Sequence, residues 1–396
     1  MGLPEALART VAENQELIAA GYEIDAAEGR LRQARLAPNP ELDATVQEVF
    51  GTDDFRGVDS AETTVTLGWI LERGVRSRLV DAAQAGVFVS TAAADIARID
   101  AAAETARRFL DCLAYQARLS AAVDAVRLAE ETVAAVNRRV AAGSSPAAER
   151  LRAEADLARA ELLEEDIGHE LLSAYHRLAA QWGTSEPDFA AVTGDLATLP
   201  RAENSETLMA RIEQNPELAR FASEQRLNEA ELRLQAARRR PSWRFYAGVR
   251  RFESTDDQAL VGGITVPIAI RDRNQGRIAE ARAELARTNA EAAATRVRLE
   301  TTLFVLDQEF RHSLHVAGRL TEDVVPRIEE ALAETERAYE LGRYGYFELR
   351  AVQAELLDAR SALIEASIDA HRTVIEIERL TGARLALPTP AQRGQP

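Results

Sequence analysis

Among side chains that could hold a metal, the histidines come first. The chain has five, and two pairs fall at helical spacing. His312 and His315 are three apart and His169 and His176 seven apart, so each pair could share a helix face. Neither pair has an acidic partner at a recognised ligand spacing. Solvated histidines on a helix face are the commoner explanation, and no metal site is expected. Asp272-Arg273-Asn274-Gln275-Gly276 is not a phosphate loop, because it has one glycine and no Gly-Lys-Ser/Thr ending. A strand-to-helix turn capped by Asp or Asn accounts for it. The chain has no nucleophile elbow, no His-Glu-x-x-His and no dinucleotide fingerprint. Its single cysteine, Cys112, excludes an intrachain disulfide and any Cys-x-x-Cys motif. Nothing here supports an enzyme or a cofactor.

A different chemistry sits at 140–152 and 339–350. In each stretch a glycine, Gly143 or Gly342, separates two helical patterns, and a carboxylate, Glu149 or Glu348, follows one turn later. Glycine takes positive φ at no steric cost, which suits a tight helix–helix turn. Taken alone, each glutamate complements the positive end of its helix. In a threefold assembly the same glutamates would form rings of charge.

The elements that must position these residues are mostly long helices. Alanine, arginine, glutamate and leucine dominate, and aromatics make up 5%, which suits helices packed on narrow seams. The net charge of −16 argues against nucleic acid, whose binding depends on neutralising phosphate. No run of about twenty apolar residues is present, so no transmembrane helix is expected. Met1-Gly2-Leu3-Pro4-Glu5 passes straight into a helical pattern with no signal peptide. Read literally, that describes a cytoplasmic chain; otherwise the chain lacks its export segment.

The chain repeats itself. Glu13-Asn14-Gln15-Glu16-Leu17 returns as Gln214-Asn215-Pro216-Glu217-Leu218, and Leu31 and Pro40 return as Leu232 and Pro241, each 201 residues on. Gly143 and Glu149 return as Gly342 and Glu348, each 199 on. A register kept this closely is a tandem duplication. The first repeat covers 1–200: a helix over 3–37, a β-hairpin at 41–71 and a long helical hairpin at 75–182. The second covers 201–387: a helix over 207–240, a β-hairpin at 242–269 and a long helical hairpin at 276–382, and a flexible tail follows at 388–396. Helical patterns of about 65 residues would be roughly 100 Å long and imply coiled-coil-like packing. Pro326 should kink or break the second one.

The hairpins alternate with period two. Leu42, Ala44 and Val46 alternate with polar residues, as do Val65, Leu67, Trp69 and Leu71. Trp243, Phe245, Ala247 and Val249 share one face opposite Arg244, Tyr246, Gly248 and Arg250. Leu260, Ile264, Val266 and Ile268 continue the pattern. Two architectures fit: a small sheet capping a helical bundle, or part of a membrane barrel with apolar residues outward. One chain has too few strands to close a barrel, whereas three chains would supply about twelve. The lipid-facing set would then be Leu42, Ala44, Val46, Val65, Leu67, Trp69, Trp243, Phe245, Ala247, Leu260, Ile264 and Val266. Trp69, Trp243, Phe245 and Tyr246 near strand ends would form an aromatic girdle.

Duplication, order and length together resemble the TolC family of trimeric outer-membrane efflux channels, over residues 3–382. The carriers are Leu3-Pro4-Glu5-Ala6-Leu7 with Asn14-Gln15-Glu16-Leu17, the two hairpins, the glycine turns, and Leu380-Thr381-Gly382. Val266-Pro267-Ile268 followed by Asp272-Arg273-Asn274-Gln275-Gly276 is similar to the branch serving heavy-metal efflux pumps of the resistance-nodulation-division (RND) class. The resemblance implies a mainly α fold with a membrane β-barrel. In it a homotrimer forms a twelve-stranded barrel in outer-membrane lipid, continuous with an α-helical tunnel in the periplasm. It also implies tips that dock a periplasmic adaptor and an inner-membrane RND pump, with the chain as a passive export duct for heavy-metal cations. An export segment upstream of Met1 would be required.

The family's closed tip is held by tyrosine, aspartate and arginine contacts, with aspartate rings in the pore. Tyr339 matches the tyrosine, and Glu149 and Glu348 match two aspartates as glutamates. Tyr344 stands at the arginine position and Ala351 at the second ring aspartate, so closure would use other contacts, with Tyr339 and Arg343 as candidates. Within the family, a type I secretion duct or a drug efflux duct is the alternative; outside it, a soluble coiled-coil scaffold.

Overall fold

Leucine and alanine at helical spacing, with Pro4 in the first turn, start helix α1, Leu3–Glu13. The helical pattern over 3–37 is in fact two helices, because Asn14 takes an extended ψ of 122° and ends α1. Its side-chain oxygen accepts from the backbone N–H of Glu16 and Leu17, opening α2, Gln15–Arg35. Strands β1, Glu41–Gln47, and β2, Glu62–Leu71, follow, and then α3, Val75–Ala141, and α4, Ala147–Ala179. The second repeat brings α5, Ser205–Ala210, α6, Pro216–Ala237, β3, Trp243–Phe252, and β4, Asp257–Thr265. It ends with α7, Gln275–Arg319, α8, Val325–Glu340, and α9, Tyr346–Thr381. This computed structural model describes residues 1–72 and 74–382. The tail at 388–396 and the stretch 383–387 lie outside the described residues.

Asn14 and Asn215, 201 residues apart, make similar hydrogen bonds. Asn14 Nδ2 donates to the carbonyl of Gln181 at 2.8 Å, and Asn215 Nδ2 donates to that of Leu380 at 2.7 Å. Gly183 and Gly382 follow those acceptors with φ of 81° and 65°. Gly74 and Asn274 take φ of 73° and 59° where each repeat turns from strand to helix. The Asn274 side chain adds a bond at 2.8 Å to the carbonyl of Gln235, which ties the start of α7 to the end of α6.

Two compact units form, and each draws on both repeats. One contains residues 20–94 and 217–294. It carries the four-stranded sheet, in order β1-β2-β3-β4 with every neighbour antiparallel. Its helices meet on small side chains: Ala82, Ala85, Ala230 and Leu234 in one cluster, Ala27, Leu31 and Val87 in another. Alanine seams let helix axes approach closely; the buried leucine contributes about 1.5–3 kcal/mol.

The other unit contains residues 1–19, 95–216 and 295 onward. Phe109, Tyr175, Leu178 and Trp182 form one of its clusters with Ala6 and Cys112. Burial pushes the Cys112 thiol up to about 12, so it is a packing residue. Near Pro326 the α-helical pattern is interrupted while the backbone stays helical. A π-helical turn, Leu320–Val324, ends α7, and α8 restarts with the proline in its first turn, where a missing N–H costs nothing. α3 holds an 18-residue window with mean hydropathy of 1.2, long and apolar enough by composition to cross a membrane. The chain's many alanines let such a window form without a run of large apolar residues.

Candidate functional site in the sheet and at the helix tips

Strand pairing sorts the sheet into two faces, because residues directly opposite one another point the same way. One row reads Leu42, Leu67, Ala247, Gly262; the next reads Ala44, Val65, Val249, Leu260; a third reads Trp69, Phe245, Ile264. Leu71 opposite Trp243 extends this face. It is bare in one chain: Leu260 is 90% exposed and Leu42 75%, with Val46, Leu67, Trp69 and Ile264 also exposed. Trp243 and Phe245 are half-buried, with ring centroids 6.1 Å apart.

The opposite face is polar or small: Thr64, Thr66 and Gly68 on β2, Arg244, Tyr246, Gly248 and Arg250 on β3. Arg250 donates to Thr64 Oγ1 at 2.9 Å and to Glu62 at 2.8 Å; Arg244 pairs with Glu41 at 3.2 Å. Tyr246 therefore belongs to this polar face and not to a girdle with Trp243 and Phe245, since one residue along a strand reverses the side. β4 also stops at Thr265 instead of running to 269. Pro267 cannot donate to a ladder, so Val266 and Ile268 lie outside the sheet, although Ile268 is exposed.

At the two helix tips the chain turns in the same way. Gly143 N–H donates to the Val140 carbonyl at 3.0 Å and Ser144 N–H to that of Arg139 at 2.8 Å. Gly342 donates to Tyr339 at 3.0 Å and Arg343 to Ala338 at 2.8 Å. Both are Schellman caps with glycine at φ of 72° and 73°.

Around these turns lies a cluster the sequence did not disclose. The Arg139 guanidinium stacks 4.3 Å from the Tyr339 ring centroid and donates to the carbonyls of Tyr339 and Tyr344, at 2.6 and 3.2 Å. Arg343 and Tyr344 are themselves exposed, so the cation engaging Tyr339 is Arg139. Tyr339 is 2% exposed, and its hydroxyl and one Glu149 carboxylate oxygen are buried without a hydrogen-bond partner among the described residues. Burial pushes the phenol above its ordinary range; Arg139 draws it back and Glu149 pushes it further up. Glu348 is exposed, and its carboxylate accepts from its own Gly345 N–H at 3.0 Å. It caps α9.

From the first turns of α9, Tyr346 donates to Asp156 of α4 at 2.6 Å, and Arg350 donates to the same oxygen at 3.2 Å. Burial alone would raise the Asp156 pKa, but the Tyr346 hydroxyl and the Arg350 charge hold it below its ordinary range. Burial and the Asp156 contact push the Tyr346 phenol up. Beside them Gln353 donates to Thr132 at 2.9 Å, linking α9 to α3. A cavity of about 60 Å³ lies among Thr132, Asp156, Tyr346 and Gln353. His169 lies 3.8 Å from the Glu165 carboxylate and His176 Nδ1 2.6 Å from the Ser185 carbonyl, and among the described residues no group of three or more potential ligands could hold a metal ion.

Residues 6–184 match the family described as Outer membrane efflux protein. The cobalt-zinc-cadmium resistance protein CzcC of Cupriavidus metallidurans is 28% identical over 380 residues, 96% of this chain and 90% of the relative. Over residues 6–184 the chain is thus similar to the outer membrane efflux proteins. Solved structures agree on the fold. A membrane protein from Pseudomonas aeruginosa superposes with a TM-score of 0.81 at 19% identity, covering 96% of this chain and 92% of that one. The open-state MtrE outer membrane channel of Neisseria gonorrhoeae gives 0.79 at 18%, covering 98% and 91%. The chain thus has the mainly helical, four-strand fold of these channel structures.

Proposed function

We propose that three copies of this chain join their sheets into one twelve-stranded barrel in the outer membrane, and that the assembly is the passive export duct of a tripartite RND-type pump for heavy-metal cations. The observation that carries the reading is the sheet itself. Its apolar face is exposed, and among the described residues of one chain the outer edges of β1 and β4 have no partner strand. Lipid tolerates neither open edges nor unpaired backbone groups, so closure requires strands from other copies. A soluble scaffold has no use for such a face.

The cation cargo is supported by the metal-resistance relative and by the chain's negative charge. In this reading Leu42, Val46, Leu67, Trp69, Trp243, Phe245, Leu260 and Ile264 meet lipid. Gly143, Glu149, Tyr339, Gly342, Arg343, Tyr344 and Glu348 form the tip that a periplasmic adaptor engages. Arg139 joins them, holding Tyr339 in place. Carboxylates at a narrow passage concentrate cations.

The test is the purified protein in detergent and in planar bilayers. A mass of three chains and a cation-preferring conductance are expected, with the preference reduced by Glu149→Gln and Glu348→Gln together. A stable monomer, or no conductance, overturns the duct; an unchanged preference removes these carboxylates from it.

A further inference from the structure

Tyr246 is an aromatic residue on the polar face of the sheet, in the row Glu41, Gly68, Tyr246, Gly263. It has a glycine on each side. A methyl group added at Gly263 would lie 2.3 Å from the Tyr246 hydroxyl oxygen, 2.5 Å from Cζ and 2.8 Å from Cε1. The ring therefore lies across β4, on the spot that any other residue at 263 would fill. The same test at Gly68 finds no atom of Tyr246 within 4 Å. On that flank the ion pair from Arg244 on β3 to Glu41 on β1, at 3.2 Å, has to cross β2. One sideways position is thus crossed by an ion pair, and the other exists only because residue 263 has no side chain. The remaining staggered direction points away from the sheet.

We propose that Tyr246 sets the bore of the barrel at its own level, and that Gly263 keeps it wide by parking the ring against the wall. The inference rests on the barrel reading, in which this face lines the lumen and three phenols share one level. The other wall residues fit a surface kept flush. Gly248 and Gly263 carry no side chain, and both arginines lie along the wall, tied to Glu41 and Glu62. A barrel built this way exerts no filter of its own until the ring is released.

Gly263→Ala and Gly263→Val in the full chain test it, each with and without Tyr246→Ala. The added carbon meets the movable end of a side chain, so pairing of β3 with β4 should survive. Gly248→Ala is the contrast: its methyl would meet backbone, 2.0 Å from the Val65 carbonyl oxygen and 2.6 Å from Thr66 Cα, and Tyr246→Ala should not rescue it. For the Gly263 variants we expect an unchanged trimer mass, a ring turned inward in the electron cryomicroscopy map, and a loss of unitary conductance that Tyr246→Ala restores. A ring still over residue 263 with β4 displaced overturns the proposal. So does a conductance equal across the set in a conducting wild type. A wild type that neither trimerises nor conducts takes the barrel reading down first, a distinguishable result.

Discussion

Asp156 shows how a side chain can organise two helical hairpins at once. It lies on α4 and accepts from Tyr346 and Arg350 on α9, and its partners sit 190 and 194 residues away in sequence. No local motif announces a pair that distant, which is why the carboxylates legible in the sequence were Glu149 and Glu348, placed by their glycines. Arg139 escaped notice for a related reason: it reaches Tyr339 only across two packed hairpins. A hydrogen bond to a charged acceptor contributes about 1.5–3 kcal/mol. Tyr346→Phe should therefore speed amide exchange in the first turns of α9 by roughly 10- to 150-fold while leaving the sheet unchanged. The pH dependence has a fixed sign. Because the folded Asp156 pKa is depressed, its contribution is full above the ordinary carboxylate value and disappears as pH falls through the lower folded one. Wild-type protection should thus persist through pH 5, and the difference from Tyr346→Phe should close only in stronger acid. Equal exchange in the two proteins at neutral pH would remove the tether.

At the scale of elements, the sheet was the more legible half. Period-two alternation placed Leu42, Val65, Leu67 and Leu260 on one face, because the pleat permits only two sides. Two details lie outside that pattern. The end of β4 depended on Pro267, and the placement of the Tyr246 ring over Gly263 depended on which strand lay beside which. The face assignment predicts an asymmetry between adjacent residues. A charge at a mid-membrane lipid-facing position costs roughly 2–4 kcal/mol, and one facing the lumen far less. Leu67→Arg should lower the yield of assembled protein in the outer membrane sharply, and Thr66→Arg should leave it near wild type, as measured by heat-modifiable oligomer bands. Equal tolerance of the two would count against a lipid-exposed sheet. Helix existence was likewise readable from apolar spacing; the interruption at Asn14 was not, since its cap needs the carbonyl of Gln181.

At the scale of the whole molecule, residues about 200 apart adopt matching local geometry: Asn14 and Asn215 make equivalent bonds, and Gly143 and Gly342 equivalent turns. The division into two compact units was not legible, because each is assembled from segments of both repeats and no composition shift marks the crossings. One difference between the repeats has a consequence for the gene. α3 runs α-helically through 67 residues, whereas its counterpart has the π-helical turn Leu320–Val324. Before that turn the buried stripe passes through Phe310 and Ala317, and after it through Leu332, Thr335 and Tyr339. Fifteen residues separate Ala317 from Leu332, which an unbroken α-helix would turn about 60° past whole turns; the wider turn takes up that surplus. The long helix of the second repeat therefore contains a slack codon. Losing one residue within 320–324 should let the segment close into ordinary α-helix, with Tyr339 still seated and oligomer levels close to wild type. One residue lost from the middle of α3 has no such reserve. It swings everything beyond it by about 100°, so that deletion should leave no assembled protein in the membrane fraction.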